Sequence, residues 1–279
     1  MIKVIVAKFM GFCPGVKRAW GLVEKTIQGK PNSVYILGEL IHNKQAIEKL
    51  EGWGIKTINS LNEIKDKGVV IIRAHGEPPK TFQKLKNLKL KVIDATCPSV
   101  ARVQKLANQL EKEGYQVIVC GERDHPEAIA TIGYTKRGLI VGSVEEAKKI
   151  PSGKRIGILS QTTFSPIVFQ EICQLLKKKS SDFKSLGTIC NITQMAQKEA
   201  QKMAKQVDLM IVVGGKHSSN TKRLAEVCQK IITTYHIETA QELKKSWFKR
   251  AKNIGLTAGA STPDWIIKKV FLKIKNIND

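Results

Sequence analysis

Short apolar runs alternate with amphipathic segments along most of the chain. The runs lie at residues 34–38, 69–73, 115–121, 155–159 and 209–215. Their near-continuous apolar character is typical of parallel strands that are covered on both faces of a sheet. Between the runs, apolar residues such as Val16, Trp20 and Val23 recur with helical spacing on one face. The pattern therefore predicts an α/β protein.

A set of landmarks recurs three times in the same order. Three cysteines, Cys13, Cys97 and Cys190, each end a strand-like segment and precede a helical pattern, at intervals of about 90 residues. Histidine-containing loops, Ser/Thr-x-x-Glu capping boxes and loops closed by proline recur at similar intervals. Their members are His42, His125 and His217; Ser60, Ser143 and Thr239; and Pro79, Pro166 and Pro263. The 279-residue chain thus consists of three units of about 93 residues each.

The repeat predicts three small parallel-sheet α/β domains. Their boundaries are 14–96, 97–186 and 187–264, and a basic C-terminal helix or tail follows at 265–279. Ligands of open parallel sheets bind beyond the carboxyl ends of the strands, and every landmark loop follows a strand. A pseudo-threefold arrangement would direct these edges at one central site, which would receive the three repeated cysteines.

Three thiolates at equivalent positions favour an iron-sulfur cluster over zinc. Structural zinc sites take four ligands, often from C-x-x-C pairs, and the chain has no such pair. A 4Fe-4S cluster held by Cys13, Cys97 and Cys190 would keep one iron not ligated by protein, able to act as a Lewis acid towards a substrate oxygen. The alternative is cysteines that only fill the core. That interpretation is preferred for the other three thiols, which lie within strand or helix patterns: Cys120, Cys173 and Cys228.

Polar residues that follow strands predict an anion site. Ser218, Ser219 and Asn220 open a helix after the run at 209–215, where backbone N–H groups and the helix dipole favour phosphate. The other candidates are Ser261 at the matching position of another strand, His42 and His75. Taken singly, each of these residues is equally well explained as a helix cap or an ordinary loop residue.

A carboxylate beside an imidazole, in His125-Pro126-Glu127, is a candidate acid–base pair. A partly buried glutamate near a cluster would serve as a proton donor at neutral pH, whereas a glutamate in a first helical turn commonly interacts only with the dipole. Thr162, after the run at 155–159, would donate a hydroxyl to substrate or relay a proton to Glu127. It is equally an ordinary threonine at a strand end.

The sequence closely resembles the 4-hydroxy-3-methylbut-2-enyl diphosphate reductase family, also called LytB/IspH, of the methylerythritol phosphate pathway. The resemblance covers nearly the whole chain and its motifs occur in order. The matching segments are 11–19 (GFCPGVKRA), 42–43, 73–76 (RAHG), 94–98 (DATCP), 125–127 (HPE), 161–163 (QTT), 188–190 (TIC), 218–221 (SSNT) and 257–263 (TAGASTP).

The resemblance implies a trefoil of three α/β domains around a 4Fe-4S cluster. The substrate's allylic hydroxyl would bind the iron without a protein ligand, and two electrons and two protons would remove it as water, giving isopentenyl and dimethylallyl diphosphate. Glu127 and His125 would act in catalysis, with Thr162 holding the hydroxyl and Glu127 in line. The strand in residues 1–13 would join the third domain's sheet. Thr162 would thus bind the substrate at its hydroxyl end. The diphosphate would be bound by His42, His75, His125, Ser218, Asn220 and Ser261, with Ser219 adjoining.

Two positions depart from the family's usual pattern. The run after the third cysteine usually contains an arginine, but residues 191–197 read NITQMAQ, so the packing or charge of that arginine is missing. His217 stands where asparagine is common. It either adds a cation near the diphosphate or faces solvent.

Charge and composition change the picture less than the motifs do. Lys and Arg total 47 against 24 Asp and Glu, a formal net charge of +23, which favours an anionic partner. We expect part of it to attract the diphosphate and part to dock an acidic electron donor, a ferredoxin or flavodoxin. The apolar N-terminal run is interrupted by Lys8, and no long uncharged stretch follows, so we expect a cytoplasmic protein without membrane association.

Two other classes of function remain as alternatives on the sequence. Another cluster enzyme with an open iron, such as a hydro-lyase or a trefoil resembling quinolinate synthase, would share the three cysteines but would not need the Ser-Ser-Asn and Ala-Ser-Thr-Pro segments. A nucleic-acid-binding protein would explain only the charge. Aromatic residues make up 6% of the chain and no binding motif is present, so no nucleic-acid partner is expected.

Overall fold

The computed structural model describes residues 2–277, which form two compact units. The first unit comprises residues 2–17, 41–49 and 191–277, and the second comprises 18–40 and 50–190. The three domain boundaries given by the repeat stay a prediction. Their outermost residues, Met1, Asn278 and Asp279, lie outside the described residues.

Strands and helices alternate through the described residues. The strands are β1 (Lys3–Val6), β2 (Val34–Leu37), β3 (Lys56–Ile58), β4 (Val69–Ile72), β5 (Lys91–Asp94), β6 (Gln116–Cys120), β7 (Leu139–Val141), β8 (Gly153–Ser160), β9 (Ser180–Ser185), β10 (Leu209–Val213), β11 (Thr234–Ile237) and β12 (Asn253–Ala258). The α-helices are α1 (Pro14–Gln28), α2 (Lys44–Gly52), α3 (Pro79–Asn87), α4 (Pro98–Lys112), α5 (Pro126–Ile132), α6 (Val144–Lys148), α7 (Pro166–Lys178), α8 (Asn191–Ala204), α9 (Ser219–Gln229) and α10 (Asp264–Lys275). Short 3-10 turns lie at Leu61–Glu63, Ala240–Glu242 and Lys245–Phe248.

The strands form three four-stranded sheets, and every strand pair in them is parallel. The sheet of the first unit has the order β1-β12-β10-β11. Its edge strand β1 therefore pairs with β12, which lies far from β1 in the sequence. The second unit contains the sheets β3-β2-β4-β5 and β7-β6-β8-β9. The predicted α/β class with three parallel sheets is confirmed.

The inner strands are buried because their side chains are covered on both faces. All residues of β4 and β10 are buried, as the near-continuous apolar runs predict. In the first unit, Leu209, Ile211 and Val213 pack with α10, whereas Met210 and Val212 pack on the opposite face with α8 and α9. Each sheet is therefore a layer covered by helices, and its parallel strands all end at the same edge.

Several helices begin directly after a residue singled out in the sequence. Pro14, Pro98 and Pro126 are the first residues of α1, α4 and α5, a position where proline loses no hydrogen bond. Cys13, Cys97 and His125 thus stand at the junctions that open these helices. None of the helices within residues 2–277 is both long enough and apolar enough to cross a membrane.

Candidate active site

The three repeated cysteines occupy equivalent places at helix starts. Cys13 precedes α1, Cys97 precedes α4, and Cys190 precedes α8. All three are partly exposed and none of them forms a disulfide. Their accessible sulfur atoms are therefore available to bind a metal.

The other three cysteines have different surroundings. Cys120 and Cys228 are fully buried, and burial raises the pKa of the Cys228 thiol to about 11. Burial also raises the pKa of Cys120 strongly and that of Cys173 less, while the Cys173 Sγ lies 3.4 Å from the hydroxyl of Ser185. These thiols are protonated at neutral pH, as expected of residues that fill the core.

Glu127 forms a buried, hydrogen-bonded pair with Thr162 in the second unit. Its Oε1 accepts the Thr162 backbone N–H at 2.6 Å, and its Oε2 accepts the Thr162 hydroxyl at 2.8 Å. Only 2% of Glu127 is exposed, and this burial raises the pKa of its carboxyl to about 7 although both bonds from Thr162 act in the opposite direction. The carboxyl can therefore be either protonated or ionised near neutral pH.

A helix cap orients Glu127. His125 is the N-cap of α5, and its Nδ1 accepts the backbone N–H of Glu127 at 3.1 Å. The accepting Nδ1 leaves the proton of a neutral imidazole on Nε2. The His125 ring meets the His75 ring edge to face, with ring centres 5.2 Å apart. Two imidazoles and one carboxyl thus lie together at the carboxyl ends of the strands.

Backbone hydrogen bonds connect this pair to two of the three cysteines. The Cys190 N–H donates to the carbonyl of Thr162 at 2.8 Å, and the Cys97 N–H donates to the carbonyl of Ala74, the neighbour of His75, at 2.9 Å. A continuous chain of contacts therefore runs from Cys97 through His75, His125, Glu127 and Thr162 to Cys190. The second unit brings together all of its predicted site residues.

Side chains near the two cysteines hold their loops against the sheets. The Thr188 hydroxyl donates to the Ser160 carbonyl and accepts the Ser160 backbone N–H, both at 2.7 Å. Asp94 accepts the backbone N–H of Thr96 at 2.9 Å and also accepts the Thr96 hydroxyl. These contacts fix the last residues before each cysteine.

The predicted anion-binding residues of the first unit also lie together. Ser218 is the N-cap of α9 and accepts the Thr221 backbone N–H at 3.4 Å, while Ser219 and Asn220 form the first turn. The Ser261 hydroxyl donates to the His42 carbonyl at 3.3 Å and lies 3.5 Å from the Ser218 hydroxyl. The four polar residues are each less than 10% exposed: Ser218, Ser219, Asn220 and Ser261. They form a compact group of donors at a helix N-terminus.

Cys13 is fixed beside this group within the same unit. Its backbone N–H donates to the carbonyl of Ala260 at 3.0 Å, and Ala260 precedes Ser261. The loop before Cys13 is held by Glu199, whose carboxylate accepts the N–H groups of Lys8 and Phe9 at 2.9 and 2.8 Å. The loop that carries a predicted ligand and the loop that carries a predicted anion donor are thus joined by a backbone hydrogen bond.

One histidine near Ser218 that the sequence singled out, His217, is exposed to solvent. The structure also places two residues near Ser218 that the sequence did not single out. His236 and Glu238 contact the loop before Ser218, although neither follows a strand that the repeat landmarks mark. Their role depends on the pairing of β11 with β10, for which the sequence carries no local signal.

Comparison with known proteins decides the family. The family model described as LytB protein matches residues 4–275. A 4-hydroxy-3-methylbut-2-enyl diphosphate reductase from Aquifex aeolicus is 42% identical, covering 99% of this chain and 97% of that protein. One of the same name from Clostridioides difficile is 39% identical, over 99% of this chain and 100% of that protein.

The chain belongs to the LytB family of 4-hydroxy-3-methylbut-2-enyl diphosphate reductases. Two solved structures are similar to it in fold, an (E)-4-hydroxy-3-methyl-but-2-enyl diphosphate reductase and an E-1-hydroxy-2-methyl-but-2-enyl-4-diphosphate reductase. One, described as the terminal enzyme of the non-mevalonate pathway, is 42% identical with a TM-score of 0.76, covering 99% of this chain and 100% of that one. The other, from Plasmodium falciparum, is 33% identical with a TM-score of 0.91, covering 97% and 87%. The predicted family and its reductase activity are confirmed.

Proposed function

We propose that this LytB-family enzyme reduces (E)-4-hydroxy-3-methylbut-2-enyl diphosphate with two electrons and two protons. The allylic C–O bond breaks, the hydroxyl leaves as water, and the second proton is delivered to the allylic carbon skeleton. Protonation at either end of the allyl unit gives isopentenyl or dimethylallyl diphosphate. The observation that carries the proposal is the buried Glu127–Thr162 pair, joined through its backbone to Cys190.

The cysteines fit the iron-sulfur group that the family implies. Cys13, Cys97 and Cys190 are partly exposed thiols at helix N-termini, whereas the remaining thiols are protonated and belong to the core. We therefore propose that these three bind a 4Fe-4S cluster in which one iron has no protein ligand. When bound, the cluster supplies electrons and a Lewis acid for the substrate's hydroxyl oxygen.

Glu127 is the proposed proton donor. Its carboxyl has a pKa of about 7, so a large fraction is protonated at neutral pH, and it can be reprotonated between turnovers. The Thr162 hydroxyl donates to Oε2 of Glu127 and is placed to exchange that bond for one with the substrate's hydroxyl. His125 orients the carboxyl through its bond to the Glu127 backbone.

The diphosphate is the proposed ligand of the serine and histidine groups. Ser218, Ser219 and Asn220 offer hydroxyl, amide and backbone donors at the start of α9, where the helix dipole favours negative charge. Ser261 lies beside Ser218 and contributes a further hydroxyl. Imidazoles complete the proposed set and would donate to phosphate oxygens: His42, His75 and His125.

An acidic redox protein of the ferredoxin or flavodoxin class is the proposed electron donor. The net charge of +23 favours such a partner, since opposite charge speeds the encounter of two proteins. Six thiols without a disulfide are also consistent with the proposed cytoplasmic location, because that compartment keeps cysteines reduced.

The test is product analysis on protein purified and assayed without oxygen. With the allylic diphosphate and a chemical reductant, we expect isopentenyl and dimethylallyl diphosphate. Cys13→Ser, Cys97→Ser and Cys190→Ser should each lose bound iron and activity, while the matched Cys173→Ser variant should keep both. Iron-loaded protein that gives a hydration or dehydration product instead would contradict the reductase and favour a hydro-lyase.

A further inference from the structure

The loop that leads from β10 to Ser218 is held along its length by the neighbouring strand β11 and the segment after it. The Gly214 N–H donates to the Ile237 carbonyl at 2.8 Å, and the Gly214 carbonyl accepts Nε2–H of His236 at 2.8 Å. Two residues on, the Lys216 N–H donates to Oε1 of Glu238 at 2.8 Å. The start of the loop therefore has three hydrogen bonds to one side.

The opposite side of the loop has no spare room. Gly214 has φ +146°, a backbone conformation reserved for glycine, and a Cβ there would lie 2.5 Å from Oγ1 of Thr262. A Cβ on Gly215 would lie 2.7 Å from the carbonyl oxygen of His42. Since this carbonyl also accepts the Ser261 hydroxyl, the loop packs directly against the proposed diphosphate-binding group.

His236 is suited to donate a permanent hydrogen bond within the protein rather than to bind the diphosphate itself. It is half-buried in β11, and burial lowers the pKa of its imidazole, so the ring is neutral at neutral pH. A neutral ring with its proton on Nε2 donates that proton to the Gly214 carbonyl. Glu238 acts as the second anchor, and Glu242 binds Lys216 Nζ at 2.8 Å from the following turn.

We propose that His236 and Glu238 are positioning residues that set the place of Ser218, Ser219 and Asn220 for a diphosphate group. The inference rests on the proposed function and extends it to side chains that do not touch the substrate. Without either hydrogen bond, Gly214–Lys216 can move. The hydroxyl, amide and backbone donors of residues 218–220 then no longer point to the same phosphate position. A single lost hydrogen bond corresponds to a decrease in affinity of about 2- to 13-fold.

The experiment measures the affinity of the iron-loaded protein for inorganic diphosphate by calorimetry under anaerobic conditions. His236→Phe keeps a ring of similar size but removes the donor, whereas His236→Gln keeps an N–H donor. Glu238→Ala removes the acceptor and Glu238→Gln keeps a carbonyl oxygen. Glu226→Ala, on the exposed side of α9, is the matched control in the same unit.

We expect His236→Phe and Glu238→Ala to weaken diphosphate binding and raise KM for the allylic diphosphate, with kcat nearly unchanged. The glutamine variants should recover most of the affinity, and the control should equal the wild type. Wild-type affinity in His236→Phe and Glu238→Ala, or an equal loss in His236→Gln, would overturn the positioning role. If the wild type itself does not bind diphosphate, it is the proposed anion site that fails.

Discussion

At the scale of single residues, the surroundings of the Glu127 carboxyl set its pKa. Glu127 is enclosed on all sides, accepts two hydrogen bonds from Thr162 and still has a pKa near 7, because desolvation outweighs both bonds. A carboxyl with an ordinary pKa would be almost fully ionised at neutral pH and would donate few protons. Burial is therefore the property that would suit this glutamate to the proposed role of proton donor.

Glu127→Gln removes the acidic proton but keeps the shape and an oxygen that accepts the Thr162 N–H, while its NH2 group can donate to the Thr162 hydroxyl. We expect kcat to fall by about 100- to 10,000-fold, the usual contribution of a general acid, while KM and iron content change little. Steady-state kinetics with the allylic diphosphate and iron analysis on the same sample check this. Glu145→Gln, an exposed glutamate in α6, serves as the control, and a comparable loss there would argue against a specific role.

The rate should depend on pH through the same group. Because the donor must carry its proton, kcat of the wild type should be highest below about pH 7 and fall as the pH rises through that value. A pH profile of kcat with a chemical reductant measures this. A profile of the residual Glu127→Gln rate with the same descending limb would assign the limb to another group.

Burial of Glu127 also makes stability depend on pH. Its folded-state pKa of about 7 is above the ordinary value of 4.5, so the folded protein binds the proton more tightly. The resulting stability is fully present below about pH 4.5 and is lost as the pH rises through about 7, on the order of 3 kcal/mol. Denaturant unfolding of wild type and Glu127→Gln across this range should show a smaller decrease for the variant.

At the scale of elements, a glycine allows a helix to approach its strand closely. Gly157 lies in β8, and a Cβ there would stand 3.0 Å from Cδ1 of Leu110 on α4 and 3.1 Å from Cβ of Tyr115. The helix begins at Cys97's junction and the strand ends just before Thr162. The contact between Gly157 and Leu110 therefore sets the separation of two elements that carry site residues.

A double-mutant cycle tests this contact. Gly157→Val should destabilise the fold by about 1–3 kcal/mol through overpacking. Leu110→Ala should cost about 2–5 kcal/mol by leaving a cavity. Because the added and removed atoms occupy the same space, the double variant should be more stable than the sum of the two losses implies. Urea unfolding of the four proteins measures the coupling, and strict additivity would show that the two residues do not share this space.

The hydrophobic pattern predicts the inner strands but not every edge. β4 and β10 are apolar throughout and are recognised directly. β9, with the sequence SSDFKS, is mostly polar because it is an edge strand, and its pairing with β8 supplies the order that its own residues do not encode. Local pattern therefore identifies elements whose side chains are covered, and misses one whose stability comes from its neighbour.

The site was predictable to the extent that its residues stand at strand ends. Cys97, Cys190, Glu127 and Thr162 follow strands or open helices, and their connection through short contacts agrees with that placement. The raised pKa of Glu127 could not be predicted, since it depends on how completely the surrounding chain excludes water. The anchoring by His236 depends on strand register and was likewise outside the reach of the sequence.

At the scale of the whole molecule, net charge governs encounters rather than the fold. The charge of +23 gives long-range attraction for an acidic donor protein, and salt screens it, with a Debye length of about 10 Å at 0.1 M and 3 Å at 1 M. Reduction by an acidic ferredoxin or flavodoxin should therefore slow steeply between these salt concentrations. Reduction by dithionite, a small anion, should slow much less. Stopped-flow measurements with both reductants check this, and equal salt dependence would argue against a docked protein donor.

The pairing of β1 with β12 imposes an order on folding during synthesis. Lys3 lies beside Asn253, so β1 can pair with β12 only after about 250 further residues have been synthesised. The sheets of the second unit draw their strands from residues 34–185 and can form before synthesis ends. Cys13 can form its bond to Ala260 only after residue 260 has been synthesised. The proposed metal group, which requires this cysteine, can accordingly be held by all three proposed ligands only after residue 260 has been synthesised, when Cys97 and Cys190 are already part of the chain.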